Sequence, residues 1–285
     1  MIRSLPASRT YRWGMTAYVV LFYIFLFAPL VITCVLAFND SDFPSLPWKG
    51  FTLDWFVGDT HPRIGIFHDE NNLASIWVSI QTAFWVSLIS LTLGTMAALL
   101  FEQENFRFKP FLYYLALTPL VIPGVILGIS ILLTANSAGL WFEERLGLDI
   151  PILRPSFWLV VVGQTAFVTT FVLLVVSARL RKLDPSLAEA AMNLGANRWQ
   201  VFWLITLPYL RPAMIGSGAV AFLMSFENFN TTLFLVGSDT TLPINLYLQV
   251  RDGSTPVINA ISFLMIVGTS LLGMVNLAMQ RRRAS

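Results

Sequence analysis

RLRKLDPSLAEAAMNLGANRWQVFWLITLPYLRP, running from Arg179 to Pro212, is a basic and polar stretch set between two long apolar runs. Its punctuation decides how the chain is organised. Asp184 followed by Pro185 is a helix-start signal, because aspartate accepts from the first free N–H groups and proline loses nothing at the first helical position. Ser186 and Glu189, three residues apart, have the pattern of a capping box. Helix-forming residues continue to Leu194, and Gly195 fits a left-handed helix terminus. A second helical run, Arg198 to Leu207, then precedes Pro208. The segment 179–213 is therefore expected to be helix, glycine turn, helix, a compact element outside the apolar runs. A capped surface helix ending at a glycine is the blander reading of the same residues.

Outward from this segment the chain is overwhelmingly apolar. Of its 285 residues 56% are hydrophobic and 12% charged, with a mean hydropathy of +0.69. That charged share is about half of what a soluble domain carries. Six runs meet the roughly 20-residue requirement of a membrane-spanning helix. They lie near 14–38, 73–101, 111–134, 155–178, 214–236 and 257–279, so the expected fold is an all-α integral membrane protein forming one domain over 1–285. The first run is too long for a signal-peptide core and reads as an uncleaved anchor. The single cysteine, Cys34, excludes a disulfide framework and a multi-cysteine metal site. With Thr33 before it and apolar residues after it, it reads as a membrane-buried thiol rather than a lipid-attachment site.

The 18 lysines and arginines set the orientation. With the N-terminus in the cytoplasm, the inside segments hold Arg3, Arg9, Arg12, Arg107, Lys109, Arg179, Arg181, Lys182, Arg198, Arg211 and Arg281 to Arg283. The outside segments hold only Lys49, Arg63, Arg145, Arg154 and Arg251. Both termini are thus expected in the cytoplasm, and the net charge of +2 needs no nucleic-acid partner. The outside loop 39–72 is polar, with Trp48 and Trp55 suited to a membrane interface. Residues 136–148 mix Leu140, Trp141 and Leu146 with Glu143, Glu144 and Arg145, the pattern of a short amphipathic helix on the surface.

Ionisable groups at membrane depth are functional candidates, since a central charge costs roughly 2.5–3.5 kcal/mol even on the lenient scale. One acidic residue, Glu227, lies well inside a run, with Ser225, Asn228 and Thr231 or Thr232 placed to form a polar stripe beside it. Phe226 and Phe229 add ring faces that attract ammonium groups. This is chemistry suited to a cationic substrate; pairing of Glu227 with a partner subunit or a buried polar group is the competing reading. Gln164 and Thr165 are further pathway candidates, though polar groups in spans also serve to join helices. Pro119, Pro123 and Gly124 interrupt the third run, an irregularity tolerated where protein or a water-filled cavity receives the freed backbone.

The chain has no catalytic constellation and no metal-ligand set: His61 and His68 lie seven apart in an outside loop. No phosphate-binding G-x-x-x-x-G-K-[ST] loop occurs, and none of the three lysines follows a glycine, so any ATP chemistry belongs to a partner. A secondary transporter would need inverted repeats and coupling carboxylates, of which only Glu227 is present. A membrane-embedded enzyme would need a cluster of His, Asp or Glu at membrane depth, and the sequence offers none.

Glu189-Ala190-Ala191, then Gly195, then Ile205, Leu207 and Pro208, resemble the EAA loop of permeases of ATP-binding-cassette importers in residue type, spacing and position before the fifth run. The resemblance implies the type I importer permease fold with six transmembrane helices. It assigns Glu189, Ala190, Ala191, Gly195, Leu207 and Pro208 to a coupling helix seated in an ATPase subunit. It also implies the partners: a second permease subunit, a homologous different chain with an identical one as the alternative; two ATPase subunits, which bind ATP and Mg; and an extracytoplasmic substrate-binding protein. No cofactor is expected on this chain, and its expected home is a bacterial inner membrane.

Pro119-x-x-x-Pro123-Gly124-Val125, Thr241-Leu242-Pro243, Tyr247, Pro256 and Asn259-Ala260 resemble the spermidine/putrescine-type permeases over about 73–279. That similarity implies a polyamine or related small organic cation as substrate, with Glu227, Asn228, Ser225, Phe226 and Gln164 along the pathway. An amino-acid derivative, an opine or a metal ion is the alternative cargo. Two departures stand out: such permeases often carry two acidic residues where this chain has Glu227-Asn228, and a histidine where it has Gln164.

Overall fold

The computed structural model describes residues 9–61, 63–253 and 255–284. Of the inside charges, Arg3 and the side chains of Arg281, Arg282 and Arg283 lie outside the described residues. In chain order the elements are α1 (Arg9–Leu36), α2 (Asp54–Val57), β1 (Asp59–Thr60), β2 (Arg63–Ile64), α3 (Glu70–Gln103), α4 (Lys109–Val121), α5 (Gly124–Leu146), α6 (Phe157–Leu180), α7 (Pro185–Asn193), α8 (Arg198–Val201), a π-helical turn (Phe202–Thr206), α9 (Leu207–Phe226), α10 (Thr232–Leu235), α11 (Leu242–Gly253) and α12 (Val257–Ala284). Four of them, α1, α3, α5 and α6, are long and apolar enough to cross a membrane, and α12 carries a shorter apolar stretch, Val257–Leu271.

The helices divide two of the expected runs. Run 111–134 splits at Ile122-Pro123: Ile122 is extended, Pro123 starts α5, and α5 then continues unbroken to Leu146. The amphipathic segment 136–148 is therefore the last part of α5, which stops at Gly147 with φ +61, and not a separate surface helix. Run 214–236 splits after Phe226, leaving 227–231 non-helical before α10.

Two compact units emerge. The first comprises the residues up to Leu73 together with those from Leu248 onward. Here α1 packs on α12, and the outside loop is a small folded piece rather than a polar connector. Asn39 organises it: its Nδ2 donates to Ser45 O and Pro47 O, and its Oδ1 accepts from Lys49 N–H at 2.8 Å. Arg63 pairs with Asp40, Asp42 and Asp54 and lies 5.4 Å over the Trp55 ring. Trp55 is buried, its Nε1 donating to Asn39 O at 2.8 Å, so it is an internal strut and not an interface anchor; Trp48 stays exposed. Cys34, in α1, is a half-buried free thiol.

The second unit, Ala74–Tyr247, is built on α6. Its most apolar window is 61% buried, against 6% for α1, which makes α6 the central post of this unit. Lipid is as apolar as leucine, so close packing rather than water exclusion must hold such helices together. The α3 sequence is written for this: Ser75, Ser79, Ala83, Val86, Ser90 and Ala98 bury one stripe of small side chains, with Gly94 in the same stripe. A Cβ on Gly94 would sit 2.8 Å from Val172 Cβ and 3.0 Å from Leu173 N on α6. Helix α9 packs along the far length of α6, and Thr170 Oγ1 ties α6 to α4 by donating to Ala116 O at 2.8 Å.

Gly94→Val should destabilise the unit by about 1–3 kcal/mol, because the added atoms meet backbone as well as side chain. Gly218→Ala, whose new methyl would meet only Leu91 Cδ2 at 3.6 Å, should be neutral. Thermal unfolding of the detergent-purified chain distinguishes the two.

Candidate functional site

The loop segment folds as a hairpin of helices, with capping that differs from the sequence reading. Asp184 is the N-cap of α7: its carboxylate accepts from Ser186 N–H at 2.9 Å, with Pro185 at the first helical position. That bond holds the Asp184 carboxyl below the ordinary carboxylate range. Ser186 consequently lies inside the first turn and cannot cap it, so the expected Ser186–Glu189 box does not form. The capping box is instead at Asn197 and Gln200, whose side chains each accept the other's N–H at 2.8 Å. Gly195 has φ +93, as a left-handed terminus requires, and nothing lies within 4 Å of where a Cβ would be. Its lack of a side chain answers backbone conformation, not packing within this chain.

Pro208 does not end the second run. The N–H it lacks would have met the carbonyl four residues back, and the chain absorbs the gap through the π-helical turn, in which Leu207 N–H reaches Phe202 O. Helix thus continues from Arg198 to Phe226, and Leu207 and Pro208 belong to the first turn of α9. Glu189, Ala190 and Gly195 are exposed and Ala191 half-buried. Leu194, beside the turn, is 90% exposed. Glu189 also lines a cleft of about 580 Å³ shared with Glu102, Arg181 and Ala188. The capped hairpin leaves small and apolar residues uncovered, the kind of exposed patch that marks interaction sites in general.

The second constellation is the break after α9. Gln164, fully buried in the first third of α6, accepts from Ser225 Oγ and donates Nε2 to Thr232 Oγ1 at 2.7 Å. Thr232 Oγ1 in turn donates to Asn228 Oδ1 at 3.1 Å, and Asn228 Oδ1 also accepts from Thr231 N–H at 3.3 Å. Each hydroxyl proton is used once in this chain of bonds. The non-helical backbone is received by glycines. A Cβ on Gly124 would stand 3.0 Å from Asn230 Cβ, and one on Gly128 only 2.8 Å from Thr231 O. On Gly163 it would collide with Leu235, at 2.2 Å.

The expected polar stripe is therefore realised in part. Gln164, Ser225, Asn228 and Thr232 come together; Glu227 does not join them. Because α9 ends at Phe226, the helical register stops there, and Glu227 sits as the C-cap residue, exposed. Its carboxylate makes no hydrogen bond or ion pair among the described residues. Phe226 stacks on Phe222, and Phe229 lies 5.1 Å from the Tyr247 ring, ring centre to ring centre. Sequence reasoning had no signal for Gly128 and Gly163 as seats for the break, whereas the Asn-x-x-Gln spacing at 197–200 was open to it. Among the described residues no three His, Cys, Asp or Glu side chains gather to hold a metal.

Apolar helices thus surround a broken span, and a folded hairpin lies between α6 and α9. Residues 90–284 match the family described as the binding-protein-dependent transport system inner membrane component, and the chain belongs to that family. It is 33% identical over 280 residues to the putrescine transport system permease protein PotI of Escherichia coli K12, covering 96% of this chain and 92% of that one. The spermidine/putrescine transport system permease protein PotC of the same organism is 26% identical over 86% of this chain and 85% of that protein. The putative 2-aminoethylphosphonate transport system permease protein PhnV of Salmonella paratyphi A is 27% identical over 90% and 89%. Among solved structures, a bacterial ABC transporter involved in the import of the acidic polysaccharide alginate aligns with a TM-score of 0.76 at 18% identity, over 95% of this chain and 94% of that chain. The chain thus has the fold of an ABC importer permease, and it is an inner-membrane protein.

Gln164→Leu strands the Ser225 hydroxyl and takes the donor from Thr232 Oγ1, which keeps only its bond to Asn228, and should cost about 1–2 kcal/mol, the range for buried hydrogen bonds between membrane helices. A lowered unfolding midpoint in detergent is the expected result, with no change in membrane insertion.

Proposed function

We propose that this permease forms one half of a pathway for a polyamine or a related small organic cation, and that the Glu227 carboxylate is the group that recognises the cation. The observation that carries this reading is the position of Glu227: exposed, unpaired among the described residues, and at the C-terminal end of α9. A carboxylate there is unfavourable for the helix itself, since the last carbonyls already present partial negative charge. The same arrangement adds the helix end's partial negative charge to the carboxylate's attraction for an ammonium group, and helix C-terminal ends at broken spans serve cations in other transporters. Phe226, Phe229 and Tyr247 supply ring faces at the same level of the chain. The relatives named for putrescine and spermidine support the same substrate class.

In this reading the chain makes six crossings with both termini in the cytoplasm. It pairs with a second, homologous permease chain, receives solute from an extracytoplasmic binding protein, and has two ATPase subunits below it that hold ATP and Mg. ATP binding draws the ATPases together, moves the hairpin of α7 and α8, and opens the pathway outward. This chain performs no covalent chemistry: its Gln164 network keeps the broken span in shape, and Glu227 holds the cation transiently.

Uptake of labelled putrescine by cells carrying the whole transport system measures the site directly. Glu227→Gln should cut uptake about tenfold at low concentration, the loss of one charge-assisted contact, while leaving the subunits assembled and the chain no less stable. Unchanged uptake kinetics would remove Glu227 from the pathway. For the hairpin, Gly195→Val forces a β-branched residue into left-handed backbone and should weaken co-purification with the ATPase about tenfold. Normal association and normal transport in that variant would overturn the docking assignment.

A further inference from the structure

The hairpin between α6 and α9 is closed at its base by one side chain. Arg179, in the last turn of α6, places its guanidinium 4.1 Å over the Tyr209 ring and donates Nε to Tyr209 O at 3.4 Å. Among the described residues Arg179 makes no ion pair, so its charge is spent on the ring and the carbonyl rather than on a carboxylate. Its neighbour Arg181 is fixed differently, at 2.9 Å from Glu102 at the end of α3. Both stems of the hairpin are thereby tied: one to the other through Arg179 and Tyr209, and the α6 stem to α3 through Arg181. At the opposite end of the same two helices, Gln164 of α6 holds Ser225 of α9.

We propose that Arg179 and Tyr209 form a clamp that makes α6 and α9 move as one lever, so that displacement of the α7–α8 hairpin reaches the break at 227–231. Arg179 is a positioning residue: it touches neither solute nor nucleotide and acts through Tyr209. A hairpin whose stems slide independently absorbs a push locally; one clamped at its base delivers it along both helices. Guanidinium suits the task because a planar cation stacks and donates at once, which an ammonium does not. The proposal rests on the hairpin being the ATPase-docking element.

The test uses the fully assembled transporter in proteoliposomes, with labelled putrescine as probe, and reads solute taken up per ATP hydrolysed. Tyr209→Phe keeps the ring and the backbone acceptor and should behave as wild type. Tyr209→Leu and Arg179→Lys should lower the ratio about fivefold or more, the lower end of coupling between distant sites, with the ATPase subunit still bound. A ratio unchanged in both, or a Phe variant as defective as the Leu variant, would overturn the clamp. If Arg179 served only to set topology, Lys would replace it without loss. A second measurement is independent of the ATPase: hydrogen exchange over 185–206 in the purified chain should speed up in Tyr209→Leu and not in Tyr209→Phe. Equal exchange in the two would sink the clamp even where docking holds, whereas a wild-type chain that never binds the ATPase would sink the docking reading alone.

Discussion

Nothing in a bilayer's core offers a hydrogen bond, so wherever a spanning helix stops, the protein itself must receive the freed polar groups. At the break at 227–231 the Thr231 N–H goes to Asn228 Oδ1 and the Asn228 N–H to Ser225 O, while Gln164 ties the side chains on either side. One amide both accepts and donates, linking the last turn of α9 to the first residue of α10. Gly124 and Gly128 on α5 let the irregular stretch approach closely, and Gly163 on α6 makes room for the Leu235 side chain of α10.

The arrangement gives α6 two roles. It is the most buried of the long helices and the main contact of α9, so the second unit is organised around it. Its first third carries Gln164, and its last turn carries Arg179, just before the hairpin. Packing, the broken span and the base of the hairpin thus all meet on one helix. The first unit shows a different economy: a short loop folded around Asn39, Arg63 and Trp55 without any long element of its own.

Much of this was legible in the residues. Long apolar runs announced the helices, Asp184-Pro185 and Gly195 announced the hairpin, and Pro119-x-x-x-Pro123-Gly124 marked the division between α4 and α5. Local chemistry was enough in each case. The break after Phe226 was not legible because no proline or glycine stands there; the groups that meet it are Gln164, 61 residues from Ser225, and Gly124 and Gly128 on α5. Pro208 misled in the opposite sense, since a π-helical turn carries the helix past a residue that usually stops one. Trp55 was read as an interface residue on type alone, and only the fold reveals that its N–H is committed to Asn39.

The central claim is that Glu227 lines a solute path that opens alternately to the two sides of the membrane. Reaction of Glu227→Cys, in a Cys34→Ala background, with a membrane-impermeant cationic thiol reagent tests it most directly. The assembled transporter should react from the inner side in the absence of nucleotide and from the outer side when ATP is bound and not hydrolysed. A thiol that reacts from neither side in either state would place residue 227 against lipid or sealed in a subunit interface, and the account of the pathway would be wrong.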